Sequence, residues 1–262
     1  MSTIAEAFRK GRPALIPYVT AGFPDLERLP GLVNALTRAG ADLIEIGIPF
    51  SDPLADGPVL QQAATAALER GTRVSSILET VSKIAPTAPP LVFLTYINPV
   101  FHYGIARFAE HARAAGIQGL IIPDLPWVEG RDMRKAAEKS GLAVIPLVAP
   151  TSTSAHLEAI REAHGFVYGV SVTGVTGMRT SVDEGVEPLV ARVRQAVKLP
   201  VAIGFGISSP EQAARVGQVA DGVIVGSALV RAIQADPERA EEVAYRFTKA
   251  LSDALQNLTT KA

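Results

Sequence analysis

Eight short apolar runs alternate with helical patterns along the chain, and this alternation is the feature that most restricts its fold. The runs are rich in Val, Ile and Leu, which is typical of strands buried on both faces of a parallel sheet. They cover residues 14–19, 43–47, 91–96, 119–122, 143–148, 166–170, 201–204 and 222–225. Eight β/α units in about 250 residues favour a closed barrel over an open doubly wound sheet. We therefore predict an α/β fold, a (β/α)8 TIM barrel, with residues 1–262 forming a single domain.

The segments around these runs complete the predicted architecture. Residues 3–9 form an extra N-terminal helical pattern that we expect to cover the bottom of the barrel, and residues 228–258 form one long helical pattern. We expect the Pro-bounded residues 49–58, and residues 98–103, to be loops that follow the second and third strands. In such a barrel the active site lies at the carboxyl ends of the strands.

Glu45 is a lone carboxylate inside the second apolar run, between Ile44 and Ile46. A buried and unpaired charge is costly, so this side chain has either a partner or a chemical role. No Lys or Arg lies within any of the apolar runs. This absence favours a chemical role for Glu45, with a structural ion pair as the alternative.

Asp52 and Asp56 lie on the loop that follows the strand of Glu45. Either residue could be an ordinary turn or N-cap residue, since Asp is common at such positions. Two carboxylates on one strand and its loop can also lie in different environments, which gives them separate acid and base roles. We predict a dry environment for Glu45 and a wetter one, with an ionised carboxylate, for Asp56.

Composition argues against several other classes of function. Lys plus Arg number 25 and Asp plus Glu number 26, with no long run of one sign, so charge does not indicate a nucleic-acid or membrane partner. The chain has no Cys, which excludes disulfides, thiolate nucleophiles and Cys-based metal sites. The first residues lack a signal-peptide pattern, and no apolar run approaches the roughly 20 residues that span a bilayer. We expect a cytoplasmic protein.

Lysine and histidine chemistry is also disfavoured. None of the seven Lys lies in a predicted strand, which argues against a Schiff-base mechanism. The histidines lack metal-ligand spacing with a carboxylate, so we predict no metal site. We expect solvent-exposed positions for all four, His102, His111, His156 and His164. General acid–base catalysis by Glu45 and Asp56 remains.

Glycines end the last two predicted strands, at Gly204, Gly206 and Gly226. Barrels often bind phosphate at these points through backbone N–H groups and a helix N-terminus, and glycine permits close approach of the anion. Ser227 is able to cap the helix that follows. Glycines also end strands for steric reasons alone, which is the alternative to a phosphate site.

Six motifs together closely resemble the α subunit of tryptophan synthase. They are residues 43–58, Thr-Tyr-Ile-Asn-Pro-Val-Phe at 95–101, Pro-Asp-Leu-Pro at 123–126, Gly-Val-Thr-Gly at 174–177, Gly-Phe-Gly-Ile at 204–207 and Gly-Ser-Ala at 226–228. The first motif is highly specific, whereas the Gly motifs alone would fit many phosphate-binding barrels. One departure is Val172, where many members carry Arg.

The resemblance implies cleavage of indole-3-glycerol phosphate to indole and glyceraldehyde 3-phosphate, with no cofactor in this chain. It also implies a partner, a β subunit that contains pyridoxal phosphate (PLP) and consumes the indole, in an α2β2 heterotetramer. Two alternatives stay open: a stand-alone lyase that releases free indole, and a subunit that mainly binds and activates a partner.

The family's functional residues can be placed on matching positions of this sequence. Its catalytic residues fall on Glu45, Asp56 and Tyr168. Its substrate-binding residues fall on Tyr18, Thr176, Gly177, Gly206, Gly226 and Ser227. Its β-subunit contact falls on the two loops, at Pro49, Asn98, Pro99 and Phe101. We also expect Pro99, Val100 and Phe101 to be exposed together, as a docking surface would require, and loop 174–177 to close over the substrate.

Overall fold

Strands and helices alternate in the structure, a computed structural model that describes residues 3–170, 183–204, 206–256 and 258. The strands are β1 (Ala14–Thr20), β2 (Ile44–Gly47), β3 (Leu91–Leu94), β4 (Ile117–Ile121), β5 (Ala143–Val144), β6 (Leu147–Val148), β7 (Val167–Val170), β8 (Val201–Gly204) and β9 (Gly222–Val225). The helices are α1 (Ile4–Ala7), α2 (Leu29–Arg38), α3 (Pro58–Glu69), α4 (Val74–Ile84), α5 (Ile97–Tyr103), α6 (Ile105–Ala114), α7 (Arg131–Lys139), α8 (Ser154–Ala159), α9 (Asp183–Ala196), α10 (Pro210–Gly217), α11 (Ser227–Ala235) and α12 (Ala240–Gln256).

All the described strands pair in parallel, in the order β5-β4-β3-β2-β1-β9-β8-β7-β6. The predicted fifth strand, 143–148, is divided into β5 and β6, because Pro146 has no N–H to donate. The Ile145 N–H still donates to the Leu120 carbonyl at 2.8 Å, and the Tyr168 N–H donates to the Pro146 carbonyl at 2.9 Å. These hydrogen bonds close the sheet into the predicted barrel.

Apolar side chains fill the inside of the barrel. They come from most of the strands and form one buried cluster: Ala14, Ile16, Leu43, Val92, Ile121, Ile145, Phe166, Ala202 and Ile224. Ile4 and Ala7 of α1 belong to the same cluster, and Phe8 packs against Phe166 with ring centroids 5.4 Å apart. The N-terminal helix therefore covers the bottom of the barrel, as predicted. Two further clusters join the outer faces of the strands to the surrounding helices.

Two predicted segments differ from the structure. Residues 98–103, expected as a loop, belong to α5, which begins at Ile97 because an Asp124 carboxylate oxygen accepts the Ile97 N–H at 2.9 Å. The long last helix, expected over 228–258, is divided into α11 and α12 around Asp236 and a 3₁₀ turn at Pro237–Arg239. Proline cannot continue the hydrogen-bond ladder of a helix, which accounts for the break.

Asp42 anchors the lower end of the barrel beside the start of β2. Its carboxylate is 1 % exposed and accepts the Leu15 N–H at 2.8 Å. It also pairs with Lys10 and Arg12, each at 2.7 Å. This buried carboxylate is therefore fully paired. Within the described residues, no helix has the length and apolar character needed to cross a membrane.

Candidate active site

A cavity of about 730 Å³ opens at the carboxyl ends of the barrel strands. It brings together side chains and backbone that are far apart in the sequence. The predicted site residues that line it are Tyr18, Glu45, Asp56, Tyr168, Gly206, Gly226 and Ser227. Outside the described residues lie Val172 and the whole of loop 174–177, which includes Thr176 and Gly177.

Glu45 lies on β2 and points into the barrel, since Ile44 and Ile46 on either side pack in the outer cluster. It is 1 % exposed, and its Oε2 has no hydrogen-bond partner among the described residues. Burial, followed by the nearby charge of Asp56, raises the pKa of Glu45 to about 8. The predicted dry environment is confirmed, and at neutral pH Glu45 is mainly a neutral carboxylic acid.

Asp56 lies on the loop between β2 and α3, directly before the Gly57 N-cap and Pro58. Burial raises the pKa of Asp56 to about 6, although a hydrogen bond from the Tyr96 side chain acts in the opposite direction. Asp56 is half-buried whereas Glu45 is 1 % exposed, so the predicted wetter environment of Asp56 is confirmed, although the barrel mouth shields this carboxylate more than an open loop would. Its pKa still lies below 7, so Asp56 is mainly ionised at neutral pH.

Two tyrosines face the carboxylates. Tyr18 on β1 is the strand neighbour of Glu45, and its hydroxyl lies 3.1 Å from Thr20 Oγ1. Tyr168 on β7 stacks on Phe166, with ring centroids 6.5 Å apart. Burial, and then the charges of Glu45 and Asp56, raises the pKa of Tyr168 well above its ordinary value; burial and Asp56 do the same to the pKa of Tyr18. Both phenols therefore keep their protons at working pH and can act as hydrogen-bond donors.

Glycines determine where the two tyrosine rings can lie. A Cβ atom at Gly47 would be 2.0 Å from the Tyr18 hydroxyl oxygen, and one at Gly204 would be 2.8 Å from that of Tyr168. Only glycine leaves room for these hydroxyls. This role of Gly47 is not visible in the sequence, because it depends on a contact between neighbouring strands.

Gly206, Gly226 and Ser227 line one part of the cavity. Gly206 has φ +49°, a left-handed conformation that favours glycine. Gly226 is the N-cap of α11 and Ser227 is its first residue, without a side-chain cap hydrogen bond. The expectation that Ser227 caps this helix was therefore wrong, since the helix begins one residue earlier than predicted. The backbone N–H groups of a first helical turn have no helical partners, and this turn begins at the cavity wall.

Several residues of the cavity wall were not predicted from the sequence. An apolar group comes from the strand ends and from α3: Leu60, Leu94, Ile122, Leu125 and Ile224. Ile122 ends the fourth predicted strand, a signal that could have identified it, whereas Leu94 lies within the third predicted strand. Tyr96 was quoted only as part of a motif, yet it contacts the Asp56 loop.

His156 also departs from expectation. It is half-buried, lines the cavity and has its Nε2 atom 2.9 Å from the Leu147 carbonyl oxygen. The other three histidines are exposed, as predicted. Within the described residues, no three His, Asp or Glu side chains are grouped as metal ligands.

The residues expected to contact a partner differ in exposure. Phe101 is 72 % exposed and Asn98 is exposed, whereas Pro99 is half-buried and Pro49 is buried. Val100 is fully buried, so the expectation that it is exposed with its neighbours was wrong. The physical reason is that these residues form helix α5, whose inner face packs Val100 into the outer cluster.

Comparison with known proteins agrees with this geometry. The profile of the family described as "Tryptophan synthase alpha chain" matches residues 4–259. The chain is 46 % identical to the tryptophan synthase alpha chain of Rippkaea orientalis, over 98 % of this chain and 99 % of the relative. It is 50 % identical to that of Solibacter usitatus, over 88 % of each chain.

Solved structures give the same result. A tryptophan synthase subunit alpha from Legionella pneumophila superposes with a TM-score of 0.91 at 34 % identity, covering 98 % of this chain and 100 % of that one. A tryptophan synthase structure from Mycobacterium tuberculosis matches with a TM-score of 0.88 at 40 % identity, covering 97 % and 96 %. The chain therefore belongs to the tryptophan synthase alpha chain family.

Proposed function

We propose that this chain is the lyase subunit of a tryptophan synthase, which cleaves indole-3-glycerol phosphate to indole and glyceraldehyde 3-phosphate. Membership of the family makes it a subunit in tryptophan biosynthesis, and a cytoplasmic location fits such an enzyme. The observation that carries the specific reaction is the pair formed by Glu45, whose buried Oε2 has no hydrogen-bond partner in the described part of the chain, and Asp56 in the same cavity. We assign no cofactor to this chain.

The two carboxyl groups divide the acid and base roles. With a pKa of about 8, Glu45 holds a proton at pH 7 and can deliver it to C3 of the indole ring. The C3–C3′ bond then breaks, and its electrons return to the ring. The 3′-hydroxyl becomes the aldehyde carbonyl, and its proton returns to the Glu45 carboxylate. Glu45 thus ends the cycle in the form in which it began.

Asp56 stabilises the charge that develops during this cleavage. With a pKa of about 6 it is mainly ionised at pH 7, and it can accept a hydrogen bond from the indole N–H. That hydrogen bond strengthens when protonation at C3 places positive charge on the ring. Tyr168, whose pKa is raised, can donate a hydrogen bond near Glu45, and the Tyr18 ring forms a wall of the indole pocket.

Backbone groups are the proposed ligands of the substrate phosphate. Gly206, Gly226 and Ser227 line the cavity, and the N-terminus of α11 begins there. No Lys or Arg occurs in residues 204–208 or 225–228. We also assign Thr176 and Gly177 to this site on the family resemblance.

We further propose a β subunit with bound PLP as the partner, in an α2β2 heterotetramer. Three large apolar side chains are exposed among the described residues: Leu54, Phe101 and Val128. They follow β2, β3 and β4, so they lie on consecutive connections at the same end of the barrel. An apolar surface at this end supports a docked partner. We therefore favour the subunit over the stand-alone lyase and over a purely regulatory role.

The test is an indole-release assay with indole-3-glycerol phosphate, with and without a β subunit. Glu45→Gln and Asp56→Asn should each lower kcat by about 10²- to 10⁴-fold, as expected when a positioned acid or base is lost. Asp52→Asn, on the same loop but exposed and paired with Ser51, is the matched control and should keep most activity. Near-normal turnover by a folded Glu45 or Asp56 variant would contradict the assignment.

A further inference from the structure

Tyr96 is a buried side chain at the mouth of the barrel that the mechanism above does not use. It follows β3 and is the N-cap residue of α5. Its ring is 2 % exposed and lies against Phe50, with ring centroids 5.4 Å apart. Buried phenol groups normally need a hydrogen-bond partner. The partners of the Tyr96 hydroxyl therefore indicate what this side chain does.

The Tyr96 hydroxyl contacts two successive residues of the loop after β2. Its oxygen accepts the Ala55 N–H at 3.0 Å. Its O–H also acts as a hydrogen-bond donor toward the neighbouring Asp56 carboxylate, which lowers the pKa of Asp56 against the larger effect of burial. The phenol therefore uses its O–H as a donor and its oxygen as an acceptor. Both contacts hold Ala55 and Asp56, and Asp56 is a proposed catalytic residue.

Other hydrogen bonds of this loop are local. The Asp56 N–H donates to the Pro53 carbonyl at 3.0 Å, and the Gln61 side chain donates to the Asp56 carbonyl at 2.9 Å. Among the described residues, loop 50–57 forms hydrogen bonds within itself, with α3 and with Tyr96, and with no other part of the protein. Tyr96 is therefore the residue that connects this loop to the barrel by hydrogen bonding.

Tyr96 is itself held firmly. The preceding residue, Thr95, donates its N–H to the Ile121 carbonyl at 2.9 Å. The following residue, Ile97, donates its N–H to the Asp124 carboxylate at 2.9 Å. Both contacts join this segment to β4 and its connection. A side chain fixed on both sides can position a neighbouring loop.

We propose that Tyr96 is the positioning residue of Asp56 and that it holds the Asp56 carboxylate in place for the indole N–H. This inference rests on the proposed function. Among the described residues, the ionisable groups that face Asp56 are acidic: Glu45 from β2, Tyr18 from β1, Tyr168 from β7 and Tyr96 itself. A donated hydrogen bond is what stabilises the anion against burial in this setting.

The test compares Tyr96→Phe with Tyr103→Phe, in kcat, KM and the pH dependence of kcat. Tyr103 lies on the same helix α5, and its hydroxyl bonds His111 Nδ1 at 2.8 Å, outside the cavity. Tyr96→Phe should lower kcat about tenfold, because a charge-assisted hydrogen bond is lost. It should also move the acidic limb of the profile upward by about one pH unit, since the Asp56 pKa rises. Tyr103→Phe should change neither quantity.

The outcomes separate this inference from the proposed function. If the wild-type chain does not cleave the substrate, the proposed function fails. If the wild type cleaves it but Tyr96→Phe has the same kcat and an unmoved acidic limb, the positioning role is refuted. A fall in kcat with an unmoved limb and a lowered melting temperature would also refute it, because that pattern indicates a purely structural role. A crystal structure of Tyr96→Phe should show the Asp56 carboxylate displaced.

Discussion

Replacing Glu45 by Gln should stabilise the fold at neutral pH while it removes activity. Glu45 is 1 % exposed, its Oε2 has no partner among the described residues, and its pKa is raised from 4.5 to about 8. A carboxyl group with a raised pKa binds more protons in the folded state than in the unfolded state. The free energy of unfolding therefore falls as the pH rises from about 4.5 to about 8.

The size of this effect follows from the pKa of Glu45. At pH 7 the solution is about 2.5 pH units above the unfolded pKa, and each unit corresponds to about 1.36 kcal/mol, so the loss is ~3 kcal/mol. Gln does not ionise and escapes this loss. Its amide carries two polar hydrogens, one more than the protonated acid that it replaces, which offsets part of the gain. We expect a net gain of ~2–3 kcal/mol at pH 7 and below ~1 kcal/mol at pH 5.

Asp42→Asn is the matched control. Asp42 is also 1 % exposed, but it is paired with Lys10, with Arg12 and with the Leu15 N–H. Loss of its charge leaves the cations without their partner, which typically costs about 3–5 kcal/mol when the pair is buried. Because Lys10 and Arg12 are partly exposed, the lower end of that range is expected. The two substitutions should therefore change stability in opposite directions.

The measurement is urea unfolding followed by circular dichroism at pH 5, 7 and 8, for the wild type and both variants. The free-energy difference between Glu45→Gln and the wild type should grow with pH. The reasoning would be refuted if this variant were less stable than the wild type at pH 8, or if the difference were the same at every pH. Either result would mean that Glu45 is paired or remains charged in the folded protein.

Three further predictions concern activity. The wild-type kcat/KM should follow a bell with limbs near pH 6 and pH 8, since Asp56 must be ionised and Glu45 protonated; a flat profile would contradict these roles. Gly226→Ala should raise KM by about tenfold or more, because the added Cβ obstructs the phosphate. Stability should not fall, since this Cβ lies 3.5 Å from Tyr18, an ordinary contact distance. An unchanged KM would place the anion elsewhere. A β subunit should accelerate cleavage about 5- to 150-fold, and Phe101→Ala should reduce that gain in a titration with β subunit.

Much of the fold could be predicted because its signals are local. The composition of each apolar run predicts a buried strand. The number of β/α units then distinguishes a barrel from an open sheet. The division at Pro146 and the break at Pro237 were missed, although both residues were visible. Propensity alone does not say whether a proline ends an element or merely interrupts its hydrogen bonds.

The candidate site could be predicted only in part. Glu45 was identifiable because Ile44 and Ile46 predict burial of the whole strand, and a buried carboxylate without a nearby cation is unusual. Asp56 was correctly predicted to be wetter than Glu45 and ionised, but its surroundings in the folded protein were not identifiable. Its raised pKa and its tie to Tyr96 depend on how a loop folds against a strand end about 40 residues away in sequence.

The sequence by itself determined the strands, the barrel class and the position of one buried acid, because hydrophobic periodicity acts over a few residues. The tertiary structure decided which groups meet at the barrel mouth. The pairing of β1 with β2 places Tyr18 beside Glu45 and over Gly47, and helix α5 buries Val100 while it exposes Phe101. Such contacts join segments that are distant along the chain, so their geometry and the pKa values that they produce exist only in the folded protein.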